Sequence, residues 1–392
     1  MNFLEVVRIL EAKGIMPKTK PGLEKIRAAV VQKSWFKKLD PKKIITVAGT
    51  NGKGTTSACL ETLLIAAGKR VGLYTSPHLI QTTERMRVQS IDITEQQFCE
   101  LYEENLSLIE TCELSHFESI TLMAADYFFS GRFVESLDYV IFEVGLGGTF
   151  DATNIFPNRY AIITALALDH VDILGNTLPE IAKNKFGIIK KNAVVVHQKL
   201  SLELNELKNQ VQLQTNSQWI ETKNFGTYPL NLLGERALIN SATALTLFEQ
   251  MGFNPNQFLS ALTAVRWAGR MQKAHLKKYG FDVFLSGDHN PQGVDSLVEI
   301  VRSLTFKKIH FILGIGKDKE VDQMLARLFT VPRAQVYLTE TPFKGIALAD
   351  YPAEFKTKAL YSDANIENIF KHLQIQRSSH NNTIILIDVL FL

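Results

Sequence analysis

"IITVAGTNGKGTTSACLETLL", residues Ile44 to Leu64, is the stretch that decides the fold: an apolar run breaks into glycines around a lysine and then resumes with helical spacing. The run before the glycines has the β-branched composition of a strand, and the segment after them has the apolar spacing of a helix. A chain that turns from strand to helix through Gly49, Gly52 and Gly54 leaves several backbone N–H groups directed at one point, the positive end of the helix dipole. The stretch therefore predicts a phosphate-binding loop.

Side chains of the same loop extend this prediction. Lys53 supplies a point charge for a polyphosphate, and the hydroxyl of Thr55 or Thr56 is suited to help place Mg²⁺. The strict phosphate-loop pattern is missed at both ends, because Val47 stands where its first glycine should be and Gly54 separates the lysine from the threonine. A glycine-rich turn without a ligand is the alternative. The strand and helix on either side favour phosphate binding.

Strand-like and helix-like segments alternate along the chain, with clear helical spacing at Gln97–Ile109 and Ser119–Phe129. Two series of strands are predicted, the first at Ile44–Ala48, Arg70–Tyr74, Tyr139–Val144, Tyr160–Leu166 and Ala193–His197, and the second at Val283–Ser286, Ile309–Leu313, Val336–Thr339 and Thr383–Leu392. Such alternation is typical of α/β folds with a mostly parallel sheet covered on both faces. The segment "VRWAGRMQKAHLKKYG" has neither period, which indicates a domain junction. We predict a P-loop-containing parallel-sheet N-terminal domain, residues 1–270, and a smaller Rossmann-like α/β C-terminal domain, residues 271–392.

The composition is that of an ordinary globular protein. The 392 residues are 46% hydrophobic and 21% charged, and no apolar run approaches the length of about 20 residues that a membrane span needs. A formal net charge of +3 is too small to indicate a nucleic-acid partner. Three scattered cysteines, an odd number without metal-ligand spacing, argue against a disulfide framework. We therefore expect a cytoplasmic protein that binds neither nucleic acid nor membrane.

The variant loop "GTNGKGT" resembles the nucleotide loop of the Mur ligase superfamily, and within it the dihydrofolate synthase/folylpolyglutamate synthase branch. The resemblance continues, in the order of that family, through "GLYTSPHL", "ERMRV", "FEVGLGGTFDATN", "ALDHVDILG" and "NKFGIIK". It continues more weakly through "GERALINSATAL", "WAGR", "SGDHNP" and "GKDKEV". Nearly the whole chain is covered.

The resemblance implies a ligase that uses ATP and Mg²⁺ to join the carboxylate of 7,8-dihydropteroate or a reduced folate to the amino group of L-glutamate, through an acyl phosphate. It implies catalytic roles for Lys53, Lys185 and His289. ATP would be bound by the phosphate loop and by residues that follow it in the chain, namely Gly49, Thr50, Asn51, Gly52, Lys53, Gly54, Thr55, Asn240, Arg270, Ser286 and Asp288. In the family, the asparagine that matches Asn240 touches the adenine base, and the arginine that matches Arg270 reaches the phosphates from the domain junction.

Glu143 is a candidate Mg²⁺ ligand on physical grounds, because it ends an apolar strand immediately before Gly145, where an acidic side chain needs a cation partner. The resemblance adds Ser76 and His170 as further ligands. It also implies that Lys185 is carbamylated and binds a second Mg²⁺, which requires a lysine held partly neutral by burial. From the sequence alone, His170 fits a core residue and Lys185 a solvated charge.

The resemblance also implies a pterin site near "TFDATN" and "HFES". The residues concerned are Phe117, Glu118, Phe150, Asp151 and Ala152. An aromatic residue in an α/β region is more often part of the core. The family further suggests a monomer.

Three departures from the family pattern leave an alternative open. Ser286 replaces the usual aspartate while Asp288 introduces an acid two residues later, Thr149 stands where an arginine is usual, and the final strand lacks the small Gly-Ser step. A degenerate member that binds nucleotide or folate without efficient turnover is therefore the second interpretation. A Mur-type ligase for a cell-wall precursor is disfavoured by "EVGLGG" followed by "DATN".

Overall fold

The chain folds into two compact units in a computed structural model, which describes residues 1–14, 22–303, 308–317, 320–341, 345–375 and 383–388. The first unit comprises Met1–Asn231 and Ile239–Val265, and the second comprises Leu232–Leu238 and Arg266–Leu392. The second unit thus takes in residues 232–238 together with the segment that starts at Arg266; the predicted domain boundary at residue 270 stays a prediction.

The first unit is built on a sheet of eight strands. These are β1 Ile44–Ala48, β2 Val71–Tyr74, β3 Met86–Val88, β4 Ile91–Asp92, β5 Tyr139–Glu143, β6 Tyr160–Ile163, β7 Val194–His197 and β8 Gln218–Glu221. Their order is β4-β3-β2-β5-β1-β6-β7-β8. The pairs of β3 with β2 and with β4 are antiparallel, and all the other pairs are parallel.

Helices cover both faces of this sheet. The helices along this part of the chain are α1 Phe3–Ala12, α2 Glu24–Val30, α3 Lys53–Ala66, α4 Glu95–Thr111, α5 His116–Phe129, α6 Val171–Leu174, α7 Leu178–Phe186 and α8 Leu202–Thr215, followed by α9 Glu235–Gln250, whose first four residues belong to the second unit. Val140 and Phe142 of β5 pack into a core with α1, α2, α4 and α5, whereas Ala161 and Ile163 of β6 pack into a second core with α7 and α8. Burial on both sides explains why the central strands are continuous apolar runs.

The second unit contains a sheet of six strands in the order β13-β12-β11-β14-β10-β9. Its elements are β9 Arg270–Leu276, β10 Phe281–Ser286, α10 Pro291–Ser303, β11 Lys308–Leu313, α11 Val321–Leu328, β12 Ala334–Leu338, α12 Ala353–Lys358, β13 Tyr361–Ser362, α13 Ile366–Ile375 and β14 Thr383–Asp388. The pair of β9 with β10 is antiparallel, and the remaining pairs are parallel.

The predicted α/β class is confirmed, and every predicted strand has a counterpart in the sheets. The segment "VRWAGRMQKAHLKKYG" contains β9, an edge strand that the sequence analysis did not predict, because several of its side chains face solvent and it has no apolar run. The domain junction placed in this segment stays a prediction. Residues 389–392 of the last predicted strand lie outside the described residues, as do residues 318–319 of the motif "GKDKEV". Within the described ranges, no helix is both long and apolar enough to cross a bilayer.

Candidate active site

The phosphate loop lies at the carboxyl end of β1, between its neighbours β5 and β6. Helix α3 begins at Lys53 directly after Gly52, whose φ is +92°. The amides of Thr50 and Asn51 donate to the carbonyl oxygen of Ala165, at 2.8 and 3.3 Å. These two amides therefore tie the loop to the end of β6, and the amides that face a phosphate are expected in the turn that follows Gly52.

Two glycines of the loop have no room for a side chain. A Cβ atom at Gly49 would lie 1.8 Å from Oγ1 of Thr164, and one at Gly52 would lie 2.3 Å from Oδ1 of Asn240. Both glycines also have positive φ, +151° and +92°. The loop conformation thus requires glycine at both positions for reasons of space and of backbone geometry.

Two lysines converge on one carbonyl oxygen of this loop. Nζ of Lys53 donates to the oxygen of Gly49 at 3.1 Å, and Nζ of Lys185 donates to the same oxygen at 3.0 Å. The Lys185 side chain is buried, with 4% of its surface exposed. Burial, followed by the charge of Lys53, lowers the pKa of Lys185 to about 7, against the opposing effect of Asp169 and Asp151. A lysine with this pKa is partly neutral near pH 7, which is the condition that carbamylation requires; the carbamylation itself stays a prediction.

Lys185 is positioned by close contact between α7 and the glycine-rich loop after β5. A Cβ atom at Gly148 would lie 2.9 Å from Cα of Lys185. The amide and the hydroxyl of Thr149 both donate to the carbonyl oxygen of Asn184, each at 2.9 Å. Thr149, one of the departures from the family pattern, thus anchors the end of α7 beside Lys185.

Glu143 is the last residue of β5 and pairs with Val47 two residues before Gly49. Its carboxylate is buried, with 4% of the residue exposed. Ser76 follows β2, the other neighbour of β5, and is half-buried. His170 lies beyond β6 at the start of α6, with Nε2 3.8 Å from Oδ1 of Asp169. The carboxyl ends of adjacent parallel strands therefore bring the predicted metal ligands to one edge of the sheet.

The side chains available as ligands fit Mg²⁺ better than a metal that is coordinated entirely by protein side chains. Among the side chains that the structure describes, no group of three or more His, Cys, Asp and Glu residues forms a metal cluster. Mg²⁺ prefers a few hard oxygen ligands and keeps several waters or phosphate oxygens. A single carboxylate from Glu143 with a hydroxyl from Ser76 meets that preference, and a place for His170 in the coordination shell stays a prediction.

Asp151, a predicted pterin contact, is occupied within its own loop. Its Oδ2 accepts hydrogen bonds from the amides of Gly145 and Leu146 at 3.0 and 2.9 Å. Its Oδ1 accepts from the amide and the hydroxyl of Thr153 at 3.0 and 2.5 Å. Burial raises the pKa of Asp151, and these four hydrogen bonds oppose that rise. The carboxylate shapes the loop after Glu143, and a contact with pterin stays a prediction.

The other predicted pterin residues have different environments. The ring of Phe117 packs against Gly145, where a Cβ atom would lie 2.5 Å from its Cζ, and Glu118 caps α5 by accepting from the amide and hydroxyl of Ser115 at 2.9 and 2.7 Å. Ala152 is buried, whereas Phe150 is 49% exposed. Of this group, Phe150 offers the most surface to a ligand.

Asn240, the predicted adenine contact, is buried in the first unit. Its Oδ1 accepts a hydrogen bond from Nε2 of Gln198 at 2.8 Å, and its amide packs against Gly52. Gln198 had no role in the sequence analysis, and no local motif marks it. The sequence analysis also gave no role to Arg85 of "ERMRV", whose buried guanidinium donates from Nε to Nδ1 of His78 at 2.9 Å.

The remaining predicted residues form a separate group in the second unit. Ser286 donates from Oγ to Oδ2 of Asp288 at 2.5 Å, and Nη1 of Arg270 lies 3.6 Å from Oδ1 of the same aspartate. Nδ1 of His289 lies 3.0 Å from the carbonyl oxygen of Gly287. The two departures from the family pattern are therefore linked, because the hydroxyl of Ser286, which replaces the usual aspartate, donates to the carboxylate that appears two residues later. Contacts of these residues with nucleotide stay predictions.

A glycine-rich loop between a central parallel strand and a helix, with a buried carboxylate at the end of the neighbouring strand, is typical of nucleotide-binding α/β enzymes. Residues 47–227 match the model of the Mur ligase middle domain. The dihydrofolate synthase/folylpolyglutamate synthase of Bacillus subtilis is 30% identical over 389 residues, covering 89% of this chain and 86% of that protein. The enzyme of the same name from Escherichia coli is 34% identical over 309 residues, covering 74% and 71%. The chain belongs to the dihydrofolate synthase/folylpolyglutamate synthase family.

The fold agrees with that of a solved structure from the same family. A bifunctional folylpolyglutamate synthase/dihydrofolate synthase crystallised with Mn, AMPPNP and L-glutamate superimposes with a TM-score of 0.84 at 27% identity, covering 100% of this chain and 96% of that one. The resemblance inferred from the sequence motifs is thereby confirmed.

Proposed function

We propose that this protein is an ATP-dependent ligase that joins a pteroate or folate carboxylate to the amino group of L-glutamate. Membership of the family and the ATP analogue, divalent metal and L-glutamate bound in the solved relative support this activity. The observation on this chain that carries the proposal is the convergence of Lys53 and Lys185 on the carbonyl of Gly49, at the sheet edge that also holds Glu143.

The chemistry explains why these charges are needed. Joining a carboxylate to an amine is unfavourable in water, so the carboxylate first takes the γ-phosphoryl group of ATP and becomes an acyl phosphate with phosphate as its leaving group. Negative charge spreads over the oxygens of the phosphoryl group during transfer. Cations and dipoles that are fixed in advance stabilise that charge. We assign this task to Lys53, which lies at the start of α3.

Glu143, Ser76 and His170 would hold the divalent metal, and carbamylated Lys185 would contribute to a second metal position. When bound, the metal neutralises phosphate charge and aligns the phosphoryl group. The residues of this chain then have distinct tasks. Lys53 compensates charge on the phosphates, the first turn of α3 supplies amides, and Thr149 holds Lys185 in place.

We further propose that the protein acts in the cytoplasm as a monomer on 7,8-dihydropteroate, a reduced folate or both. The exposed ring of Phe150 is suited to cover a pteridine, and the ring of Phe117 backs the loop that carries it. The Thr149 and Ser286 substitutions, which motivated a degenerate binder as the alternative, have structural partners in this protein. They therefore give no reason to prefer a protein without turnover.

The test is to incubate the purified protein with ATP, Mg²⁺ and labelled L-glutamate, with each acceptor in turn, and to identify the products by mass. We expect phosphate release only when both acceptor and glutamate are present, with one glutamate added per phosphate. Fully folded protein that shows no acceptor-dependent release would overturn the proposed activity. The same assay with each acceptor reports which of them is used.

A further inference from the structure

A buried asparagine, Asn154, joins the loop after β5 to the end of α7. Its Nδ2 donates to the carbonyl oxygen of Thr149 at 2.9 Å and to that of Gly187 at 3.1 Å. Thr149 belongs to the loop that follows Glu143, and Gly187 is the residue that caps α7 at its carboxyl end. The Asn154 side chain thus bridges two segments that are distant in the chain.

Lys190 fixes which way the Asn154 amide points. Nζ of Lys190 donates to Oδ1 of Asn154 at 2.6 Å and to its backbone carbonyl oxygen at 2.8 Å. A lysine ammonium group has only donors, so the oxygen end of the amide must face Lys190 and the nitrogen end must face the two carbonyl groups. A flipped amide would lose all of these side-chain hydrogen bonds.

The bridged segments are also in direct backbone contact. A Cβ atom at Gly187 would lie 2.0 Å from Oγ1 and 2.8 Å from Cα of Thr149. A Cβ atom at Gly148 would lie 2.7 Å from the carbonyl oxygen of Asn184 and 2.9 Å from Cα of Lys185. Close-packed groups transmit displacement to one another, so a shift of the loop would also move the end of α7.

Lys185 is the functional side chain at this end of α7. Its Nζ reaches the carbonyl oxygen of Gly49, in the phosphate loop, at 3.0 Å. The side chain is buried, so the place of its amine depends on where the backbone of α7 is held. The contacts of Asn154 and Lys190 therefore lie where they can set the position of this amine.

We propose that Asn154 and Lys190 are positioning residues of the ligase, which hold the end of α7 against the loop after β5 and so keep the amine of Lys185 at the phosphate loop. The inference rests on the proposed ligase function, in which Lys185 serves at this loop. Both residues act through Lys185. Such placement matters, because a displacement of about 1 Å can lower a rate by about a hundredfold.

Two variants of the full chain separate this role from a general stabilising one. Lys190→Met keeps an unbranched side chain and removes both hydrogen bonds to Asn154. Asn154→Asp keeps the shape and an acceptor for Lys190, and it removes the donor that bridges Thr149 and Gly187. The control is Lys191→Met, the same change at the neighbouring lysine, which is exposed.

Carbon NMR of protein whose lysines carry an isotopic label at Cε reports on the amine of Lys185 without turnover. The resonance is assigned by its loss in Lys185→Met, in buffers freed of CO₂. We expect it to shift in Lys190→Met and in Asn154→Asp and to stay in place in Lys191→Met. An unchanged resonance in the first two variants would refute the positioning role, even if their unfolding midpoints fall.

Steady-state rates test the same role during the reaction. We expect kcat for acceptor-dependent phosphate release to fall by about ten- to a hundredfold in Lys190→Met and Asn154→Asp, with each KM changed by less than about threefold. A raised KM for the acceptor with unchanged kcat would overturn the role, because the two residues would then only shape the loop after β5. A parent protein without acceptor-dependent release would overturn the proposed function, and the NMR measurement would still decide whether Asn154 and Lys190 position Lys185.

Discussion

The carbonyl oxygen of Gly49 accepts hydrogen bonds from Lys53 and Lys185, two residues that are far apart in the chain. Two amines on one acceptor repel each other when both are charged, and the buried one gives up its proton more readily. Burial lowers the pKa of Lys185 to about 7, and the charge of Lys53 adds to that lowering. Lys53 is half-buried in the first turn of α3. Burial therefore prepares Lys185, the more buried of the two lysines, to lose its proton near neutral pH.

Lys53→Ala should abolish turnover while leaving the fold nearly unchanged, because its ammonium group acts on the phosphates and its removal also relieves repulsion of Lys185. We expect the rate of acceptor-dependent phosphate release to fall by about a hundredfold or more, with the free energy of unfolding within about 1 kcal/mol of the parent value. Lys42→Ala, an exposed lysine just before β1, is the control. A Lys53→Ala protein with the parent rate would refute the role of Lys53.

Lys185→Met should change how stability depends on pH. Above pH 7 the native Lys185 is neutral while the lysine of the unfolded chain stays protonated up to about pH 10, so the unfolded state binds more protons. The free energy of unfolding of the parent protein should therefore rise relative to Lys185→Met between about pH 7 and pH 10. Below pH 7 the free energies of unfolding of the two proteins should change in parallel with pH, because Lys185 is then protonated in both the native and the unfolded parent. The parent is destabilised there by the buried charge.

Chemical denaturation at a series of pH values, in buffers freed of CO₂, measures this difference. The expected change is on the order of a few kcal/mol across the window. Lys190, whose pKa burial lowers to about 8, is present in both proteins, so its contribution cancels. A difference that stays constant from pH 7 to pH 10 would contradict the lowered pKa of Lys185.

At the scale of the element, the phosphate loop depends on the junction of β1 with α3. Gly52 combines a φ of +92° with a neighbour, Asn240, in the space of a side chain. Gly68, which follows α3, has a φ of +74° and no heavy atom within 4 Å of the position that a Cβ atom would take. The two glycines therefore share backbone geometry and differ in steric surroundings.

Gly52→Ala is expected to cost about 1–3 kcal/mol of unfolding free energy and to impair binding of AMPPNP, since the loop must move away from Asn240. Gly68→Ala should cost only the backbone term, about 1 kcal/mol, and leave the affinity unchanged. Denaturant titrations and calorimetric binding compare the two. Equal losses of stability with unchanged affinity in both variants would count against the loop as the phosphate site.

A comparison of predicted and observed strands shows which of them the apolar pattern of the sequence can locate. Buried parallel strands such as β1 and β5 were located within about a residue, because short β-branched runs between two helical segments are typical of strands buried on both faces. The edge strands β4, β8, β9 and β13 were missed, as was β3, which lies next to the edge strand β4. Many side chains of these strands face solvent, so their composition resembles that of a loop.

At the scale of the whole molecule, ligand binding and folding are linked. A nucleotide that binds only the native state stabilises it in proportion to the logarithm of its concentration over Kd, about 2.7 kcal/mol at a hundredfold excess. We expect AMPPNP with Mg²⁺ to raise the thermal unfolding midpoint, and EDTA to remove most of that rise. Scanning calorimetry measures the unfolding midpoint under each condition.

Lys53→Ala and Glu143→Gln serve as the variants for this measurement, because each removes one charge from the edge of the sheet where β1 and β5 end. Both should show a smaller rise of the midpoint than the parent. A parent protein whose midpoint does not respond to AMPPNP and Mg²⁺ would contradict nucleotide binding at the native phosphate loop. A full response in Glu143→Gln would exclude Glu143 as a metal ligand.

The sequence by itself determined the alternation of strands and helices, the phosphate loop and the acid at the end of β5, since each depends on residues that are neighbours in the chain. The motifs in the sequence also identified the family that the chain resembles. The spacing of glycines around Lys53 and the burial of Glu143 follow from local rules of backbone geometry and desolvation.

The tertiary structure alone decided which distant groups meet. Thr149 bonds Asn184 across 35 residues, Gln198 bonds Asn240 across 42, and Arg236 bonds Gln292 across 56. In the folded protein, Asp151 accepts hydrogen bonds from its own loop and Glu118 caps the start of its own helix. A local pattern reports which face of an element is buried, whereas the order of the strands, with β1 between β5 and β6, sets which loops lie side by side. The lowered pKa of Lys185 depends on that order and on the packing around it, whereas the contacts of Asp288 and Arg236 depend on the packing of the second unit.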